Sequence, residues 1–151
     1  MIGLVQRVSE ASVEVGGERV ASIGLGLLVL IGVERGDTQR EAARLLERIV
    51  NFRIFDDGTG RMNDNVADVG GALLLVPQFT LAADTAKGNR PGFSRAADPA
   101  DGEALFGSLV DLARHGPVPV ETGVFGASMR VALCNEGPAT FWLQAAPRAS
   151  A

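Results

Sequence analysis

Histidine, cysteine and long apolar runs are nearly absent from this chain of 151 residues. It has one histidine, His115, one cysteine, Cys134, one tryptophan and no tyrosine. A single cysteine cannot form an internal disulfide, and one His with one Cys cannot build a transition-metal cluster. No metal and no cofactor are therefore expected. A histidine-centred triad would require His115 itself to stand in the site. The longest apolar run, Ile23 to Val33, is too short and too rich in glycine to span a bilayer. The N-terminal "MIGLVQRVSE" has no basic segment followed by an apolar stretch, so no signal peptide is expected and the cytoplasm is the expected compartment. Positive charge is in deficit, with 14 Lys and Arg against 18 Asp and Glu, a net charge of −4. That balance argues against indiscriminate nucleic-acid binding but leaves room for a local basic patch.

What is present is a globular composition, 46% hydrophobic and 21% charged, at a normal size for one domain with its own core. Residues 1–151 show no repeat, linker or composition break and read as one domain. "GLVQRVSEASVEVGGERVASIGLGLLVLIGV" reads as several strands, with Gly16-Gly17 as a hairpin turn. Leu27 to Val33 is apolar on both faces, as in a central, covered strand. From Thr38 the period becomes helical: Thr38 and Glu41 fit a capping box, and Ala42, Leu45, Leu46 and Ile49 form one apolar stripe. Phe52 to Phe55 reads as a short strand and "DDGTGRMNDN" as turn. Ala72 to Leu81 reads as a second buried strand, disturbed by Pro77. A second helix should be capped by Asp98, begin at Pro99, bury Leu105, Leu109 and Leu112, and stop at Gly116. "VPVETGVF", "MRVALC" and "TFWLQ" read as strands, and the tail "AAPRASA" as frayed. The fold class is α/β, a single layered domain with more strands than helices, one sheet face covered by helices and another by strands.

Several positions invite a functional reading. "NEGPAT", Asn135 to Thr140, puts Gly-Pro between two strand-forming runs. Either it is a turn between two strands, or its backbone touches something. Pro77 breaks a ladder bond at the end of a buried strand. Either the strand simply ends, or "PQFTL" turns outward and presents Gln78, Phe79 and Thr80 to a cleft. A nucleophilic Thr80 needs an adjacent base, and none is near it in sequence. The loop "AADTAKGNRPGFSRAA" sets Lys87, Arg90 and Arg95 against Asp84 alone and includes Phe93. Such a loop can grip phosphates or stack a base, or be an ordinary solvated loop. Arg40, Arg44 and Arg48 line one helix face, best read as solvated and salt-bridged. Arg7 alternates with apolar residues. Such an arginine usually faces solvent, or else pins a backbone carbonyl with its five donors.

Taken in order, "LVQRVSEASVEV", "GLGLLVLIGVERGD", "RIFDDGTGRMNDNV", "LLLVPQFTLAADTAKGNRPGFSRAA" and "NEGPATFWLQ" resemble the D-aminoacyl-tRNA deacylase family over essentially the whole chain. Two motifs carry most of the specificity, Gln78-Phe79-Thr80-Leu81 and Gly137-Pro138, about sixty residues apart. The resemblance implies the D-aminoacyl-tRNA deacylase-like fold and a homodimer. It implies hydrolysis of the ester joining a D-amino acid, and glycine as well, to the 3′ end of tRNA. It further implies a cis Gly137-Pro138 bond that reaches into the partner's pocket, its two carbonyls meeting the substrate's α-ammonium group. The terminal 2′-hydroxyl would assist the reaction, and backbone N–H groups of Gln78, Phe79 and Thr80 would stabilise developing negative charge. By the same resemblance Phe125 and Met129 line the pocket and Arg7 holds the Gly-Pro element. Thr80 matches a candidate nucleophile, for which substrate assistance is the preferred substitute. Aminoacyl-tRNA is the implied partner, and no membrane is involved.

The chain departs from the family at Pro77, usually serine, and at Ala139, usually valine. Proline at this spot also occurs in a related animal deacylase that removes mischarged L-alanine from a threonine tRNA. That relative typically lacks the phenylalanine present here as Phe79. The alternatives are therefore that L-alanine-specific activity, and a non-catalytic nucleic-acid-binding module.

Overall fold

Gly16 and Gly17 have φ of +59° and +81°, and the chain reverses on them. The reversal joins β1 (Ile2–Val15) to β2 (Glu18–Ile23) as an antiparallel hairpin. The elements that follow are β3 (Gly26–Gly32), α1 (Gln39–Asn51), β4 (Phe55–Asp56), β5 (Met62–Asp64), β6 (Ala72–Pro77), a 3-10 turn (Phe79–Ala82), α2 (Pro99–Arg114), β7 (Val120–Thr122) and β8 (Arg130–Gln144). This computed structural model describes residues 1–148.

β1 organises the sheet because it is long. Its first half, Ile2–Val8, pairs with β3, and its second half, Ala11–Val15, pairs with β2. Its other edge pairs with β8 along nearly its whole length. The order is β2-β1-β3-β6-β7, with β8 beside β1, and β4 and β5 form a separate small ribbon. β3–β6 and β6–β7 are parallel pairs, which need crossover connections. The first crossover includes α1 and the second α2, and the two helices pack together over one sheet face.

That face holds the larger core. Val5, Leu27, Val29, Ile31, Leu73 and Leu75 meet Leu45 and Ile49 of α1 and Leu109 of α2. Fully burying side chains of this size contributes about 1.5–3 kcal/mol each. On the opposite face Val8, Val13, Ala21, Ile23, Leu28, Leu74 and Val76 form a second cluster, closed by strands. The two-sided covering expected from the sequence is present, and Leu27–Ile31 are buried or half-buried throughout. Thr38 and Glu41 form the capping box: the Glu41 carboxylate accepts from the Thr38 N–H at 2.8 Å and from its hydroxyl at 2.6 Å.

Several elements differ from expectation. The strand from Ala72 ends at Pro77, not Leu81, because the Gln78 N–H donates to the Ile31 carbonyl at 2.7 Å and the chain then curls. Phe52 caps α1, so only Phe55 of the expected Phe52–Phe55 strand lies in β4. Met62–Asp64, read as turn, pairs with β4. Leu112 is exposed, because Phe106, Leu109, Val110 and Ala113 take the buried face of α2. Asp98 stands at the N-cap position without a capping bond and lies 3.4 Å from Arg35 instead. In "VPVETGVF" only Val120–Thr122 is strand. The tail begins firmly: Ala145 is buried, its N–H donates to the Met1 carbonyl and its carbonyl accepts from the Met1 ammonium. Residues 149–151 of the expected frayed tail lie outside the described residues.

Candidate active site

β6 delivers Pro77 to the end of the sheet, and the following turn carries Gln78, Phe79 and Thr80 outward. Gly32 at the end of β3 makes this close approach feasible. A Cβ there would lie 2.9 Å from the Cβ of Leu81 and 3.2 Å from the Gln78 carbonyl. Beside the turn opens a cavity of about 470 Å³. Its floor is sheet: Leu30, Ile31, Val76 and Pro77. Gln78 and Phe79 form its rim, and Phe125 and Met129, from the segment between β7 and β8, form one wall. The opposite wall is the start of α2, with Pro99, Gly102 and Phe106.

That last wall was not anticipated from the sequence. A signal existed: Gly102 sits inside a helix, where glycine costs about 1 kcal/mol relative to alanine. Its missing side chain admits Phe125, whose Cζ would be 3.4 Å from a Cβ at position 102. Gly123 serves Met129 similarly, since a Cβ there would lie 2.8 Å from the Met129 sulfur.

Thr80 is exposed and not part of the cavity wall. Its hydroxyl donates to the side-chain carbonyl oxygen of Gln78 at 2.6 Å. An amide oxygen cannot take up that proton as a base does, so this contact does not activate Thr80. His115 caps the far end of α2 with its Nδ1 2.6 Å from the Asp111 carbonyl, and does not line the cavity. The N–H groups of Phe79 and Thr80 open the turn and meet no protein acceptor among the described residues. They are donors free for a ligand, as the first N–H groups of a helical turn are, whereas the Gln78 N–H, expected as a third such donor, is taken up by the Ile31 carbonyl at 2.7 Å.

The other expected residues lie outside this cavity. The "NEGPAT" stretch is not a turn between two strands, because both flanking runs pair with β1 as one strand, β8. Gln6 faces Thr140 and Val8 faces Asn135, so residues 136–139 bulge opposite Arg7 alone. The Gly137-Pro138 bond in this bulge is cis. The Asn135 side chain closes its base, accepting from the Ala139 N–H at 2.8 Å and donating to the Thr140 hydroxyl at 2.7 Å. Arg7 holds it from beneath, its Nε 2.9 Å from the Glu136 carbonyl and its Nη1 2.7 Å from the Ile54 carbonyl. Of the two readings for Arg7, the pinning of a backbone carbonyl is the one observed.

Lys87, Arg90 and Arg95 are exposed on the loop beyond the turn and make no ion pair among the described residues. On α1, Arg44 pairs with Glu47 at 2.9 Å, and Arg48 donates to the Gln144 carbonyl at 2.6 Å.

A curled sheet with two helices on one face, and at its edge a cavity beside two free backbone donors, define an α/β fold with one candidate site. The family model described as D-Tyr-tRNA(Tyr) deacylase matches residues 4–144. D-aminoacyl-tRNA deacylase of Thioalkalivibrio sulfidiphilus is 61% identical over 147 residues, 97% of this chain and 99% of that protein. The protein of the same name from Alkalilimnicola ehrlichii is 61% identical over 150 residues, 99% of this chain and all of that one. Among solved structures, the c-Myc DNA Unwinding Element Binding Protein superposes with a TM-score of 0.92 at 37% identity, covering 97% of this chain and 100% of that one. A probable eukaryotic D-amino acid tRNA deacylase shares the fold, with a TM-score of 0.76 at 18% identity over 94% of this chain and 98% of that one. The chain belongs to the D-aminoacyl-tRNA deacylase family, hydrolases acting on the ester bond of D-aminoacyl-tRNA.

Proposed function

We propose that two copies of this chain, each a single domain over residues 1–151, form a homodimer that clears D-aminoacyl-tRNA, and glycyl-tRNA, in the cytoplasm. In this reading the Gly137-Pro138 bulge of one subunit completes the cavity of the other. The observation that carries it is a division of parts. Gln78, Phe79, Phe125 and Met129 meet at one cavity, while Gly137 and Pro138 stand on an exposed bulge outside it. Around that bulge the outer edge of β8 is unpaired and presents Leu133, Phe141 and a 52%-exposed Trp142. An unpaired apolar edge of this kind is suited to an isologous pairing with a second copy.

The ester would lie against the free N–H groups of Phe79 and Thr80, which stabilise the oxyanion as it forms. The terminal 2′-hydroxyl of the substrate assists, since Thr80 has no base. Carbonyls of Gly137 and Pro138 accept from the α-ammonium group. With ammonium and ester both fixed, a D side chain leaves toward solvent and an L side chain meets the carbonyl wall. Phe125 and Met129 hold the terminal adenosine end, Arg7 keeps the bulge in place, and Lys87, Arg90 and Arg95 contact phosphates. No helix among the described residues is long and apolar enough to cross a membrane.

The test is deacylation of D-tyrosyl-, glycyl-, L-tyrosyl- and L-alanyl-tRNA, with light scattering on the same preparation. The expected result is a dimer that cleaves the D-tyrosyl and glycyl esters and spares L-tyrosyl. Comparable cleavage of D- and L-tyrosyl-tRNA, or full activity as a monomer, would overturn the reading. Preferred cleavage of L-alanyl-tRNA would instead support the L-alanine-specific activity that Pro77 brings into consideration. The name of the c-Myc DNA Unwinding Element Binding Protein and the basic loop favour a second reading, nucleic-acid binding without catalysis. It predicts retention of tRNA with no ester cleavage, and the net charge of −4 weighs against it.

A further inference from the structure

Two large aromatic rings are exposed side by side at the rim of the cavity. Phe79 is 60% exposed and Phe93 is 42% exposed, with ring centroids 5.2 Å apart and planes inclined by 53°. Phe79 belongs to the cavity rim, whereas Phe93 lies just beyond it, on the basic loop. Leaving two phenylalanine rings in water forfeits the stabilisation their burial would bring. The arrangement therefore points to a surface that is covered when a ligand is bound.

Phe93 is not carried on a slack loop. Asp84 and Gly92 exchange two backbone hydrogen bonds, at 2.7 and 2.9 Å, which close the loop just before Phe93. Just after it, the Ala96 N–H donates to the Phe93 carbonyl at 3.1 Å, and the Arg95 carbonyl accepts from the Arg35 N–H at 2.9 Å. The backbone is thus fixed on both sides of Phe93, whose ring lies next to Phe79, while Lys87, Arg90 and Arg95 are exposed on the same loop. Exposed aromatic faces on a segment rich in unpaired cations suit single-stranded nucleic acid, because bases stack on the rings and phosphates meet the cations.

We propose that Phe79 and Phe93 form a stacking platform for the unpaired nucleobase that precedes the terminal adenosine of the substrate. This deepens the reading given above and rests on it. If the ester lies at Phe79 and the terminal adenosine enters the cavity, the preceding nucleotide leaves over the rim, where Phe93 stands. Phe93 is then a binding residue that selects a polynucleotide end over a free aminoacyl nucleoside.

The test uses stable amide analogues of the substrate, D-tyrosyl-3′-amino-3′-deoxyadenosine alone, with a 5′-linked cytidylate, and with a 5′-linked abasic nucleotide. Kd is measured for the wild-type protein, Phe93→Ala and Phe93→Trp. The abasic analogue keeps the phosphate, so its comparison with the cytidylate analogue isolates the base. The wild-type protein should bind the cytidylate analogue roughly 5- to 150-fold more tightly than the abasic one. Phe93→Ala should abolish that ratio and leave the affinity for the nucleoside analogue unchanged, and Phe93→Trp should keep it. An unchanged ratio in Phe93→Ala, or an equal loss for all three analogues, would overturn the platform. Conversion of Phe93→Ala to a monomer would also overturn it, because the ring would then serve a subunit contact. Failure of the wild-type protein to bind any of the analogues would strike the proposed function itself, whereas binding without a base-dependent ratio would strike the platform alone.

Discussion

The guanidinium of Arg7 reaches the Glu136 carbonyl at 2.9 Å, across 129 residues of chain, while the same side chain holds the Ile54 carbonyl at 2.7 Å. Arg7 is thus the one β1 residue set against a four-residue bulge of β8, and it ties that bulge to Ile54, the residue just before β4. Gly137 is packed against it: a Cβ at this position would lie 2.7 Å from Arg7 Nη2 and 3.1 Å from the Ala139 nitrogen, and φ is +131°. Arg7→Lys has one head and cannot make both contacts in the same plane. Both Arg7→Lys and Gly137→Ala should lower kcat/KM for D-tyrosyl-tRNA by at least about tenfold, as loss of positioning does. Urea unfolding should show a cost of about 1–3 kcal/mol. Wild-type kinetics in either variant would separate the bulge from the reaction.

Thr80→Ala should retain substantial deacylase activity. Its hydroxyl is hydrogen-bonded to the Gln78 amide at 2.6 Å and has no base. Loss of a true nucleophile costs several orders of magnitude in kcat. Single-turnover rates on D-tyrosyl-tRNA measure the difference, and a fall of that size with binding intact would make Thr80 the nucleophile.

The double substitution Lys87→Ala with Arg90→Ala should weaken tRNA binding and flatten its dependence on salt. Each phosphate contact contributes roughly one unit to the slope of log K against log salt concentration. Filter binding over a salt series should show a slope reduced by about one to two units. An unchanged slope would leave the loop a surface feature.

Gly32→Ala should impair the reaction more than the fold. The added methyl must displace either Leu81 or the Gln78 carbonyl, at 2.9 and 3.2 Å, and so moves the turn that carries Phe79. A misplacement of this kind costs on the order of a hundredfold in rate. The check is kcat for D-tyrosyl-tRNA alongside a far-ultraviolet spectrum, which should stay native.

The capping box gives a pH-dependent contribution of known sign. The Thr38 hydroxyl bond, and then the Thr38 N–H, hold the Glu41 carboxyl below its usual value of 4.5, against the opposing effect of burial. A depressed carboxylate pKa stabilises the fold above the unfolded-state value, and that contribution is lost as pH falls through the folded-state value. Glu41→Ala should therefore cost about 1 kcal/mol near neutrality. The gap between wild type and variant should narrow below pH 4.5 in thermal melts, and a gap that widened there would contradict the assignment.

Local signals foretold local structure. Paired glycines at 16 and 17 marked a reversal, the spacing of Thr38 and Glu41 marked a helix start, and the apolar run from Leu27 marked a covered strand. Gln78 and Phe79, with Phe125 and Met129, were assembled as site residues through the resemblance, and they meet at one cavity. Such features depend on residues a few positions apart, where backbone sterics and side-chain period act directly. The pairing of β8 was beyond that reach. "MRVALC" and "TFWLQ" look like two strands with a turn between them, and only the long edge of β1 makes them one strand with a bulge. Leu112 fits an apolar period as well as Ala113 does, and the position of α1 and the sheet decided which of them is covered. The cavity wall at Gly102 and Phe106, and the pairing of Phe93 with Phe79, likewise arise from segments distant in sequence. Hydrophobic burial has no direction, so the sequence determined which segments bury a face, and close packing of those segments decided which of them meet.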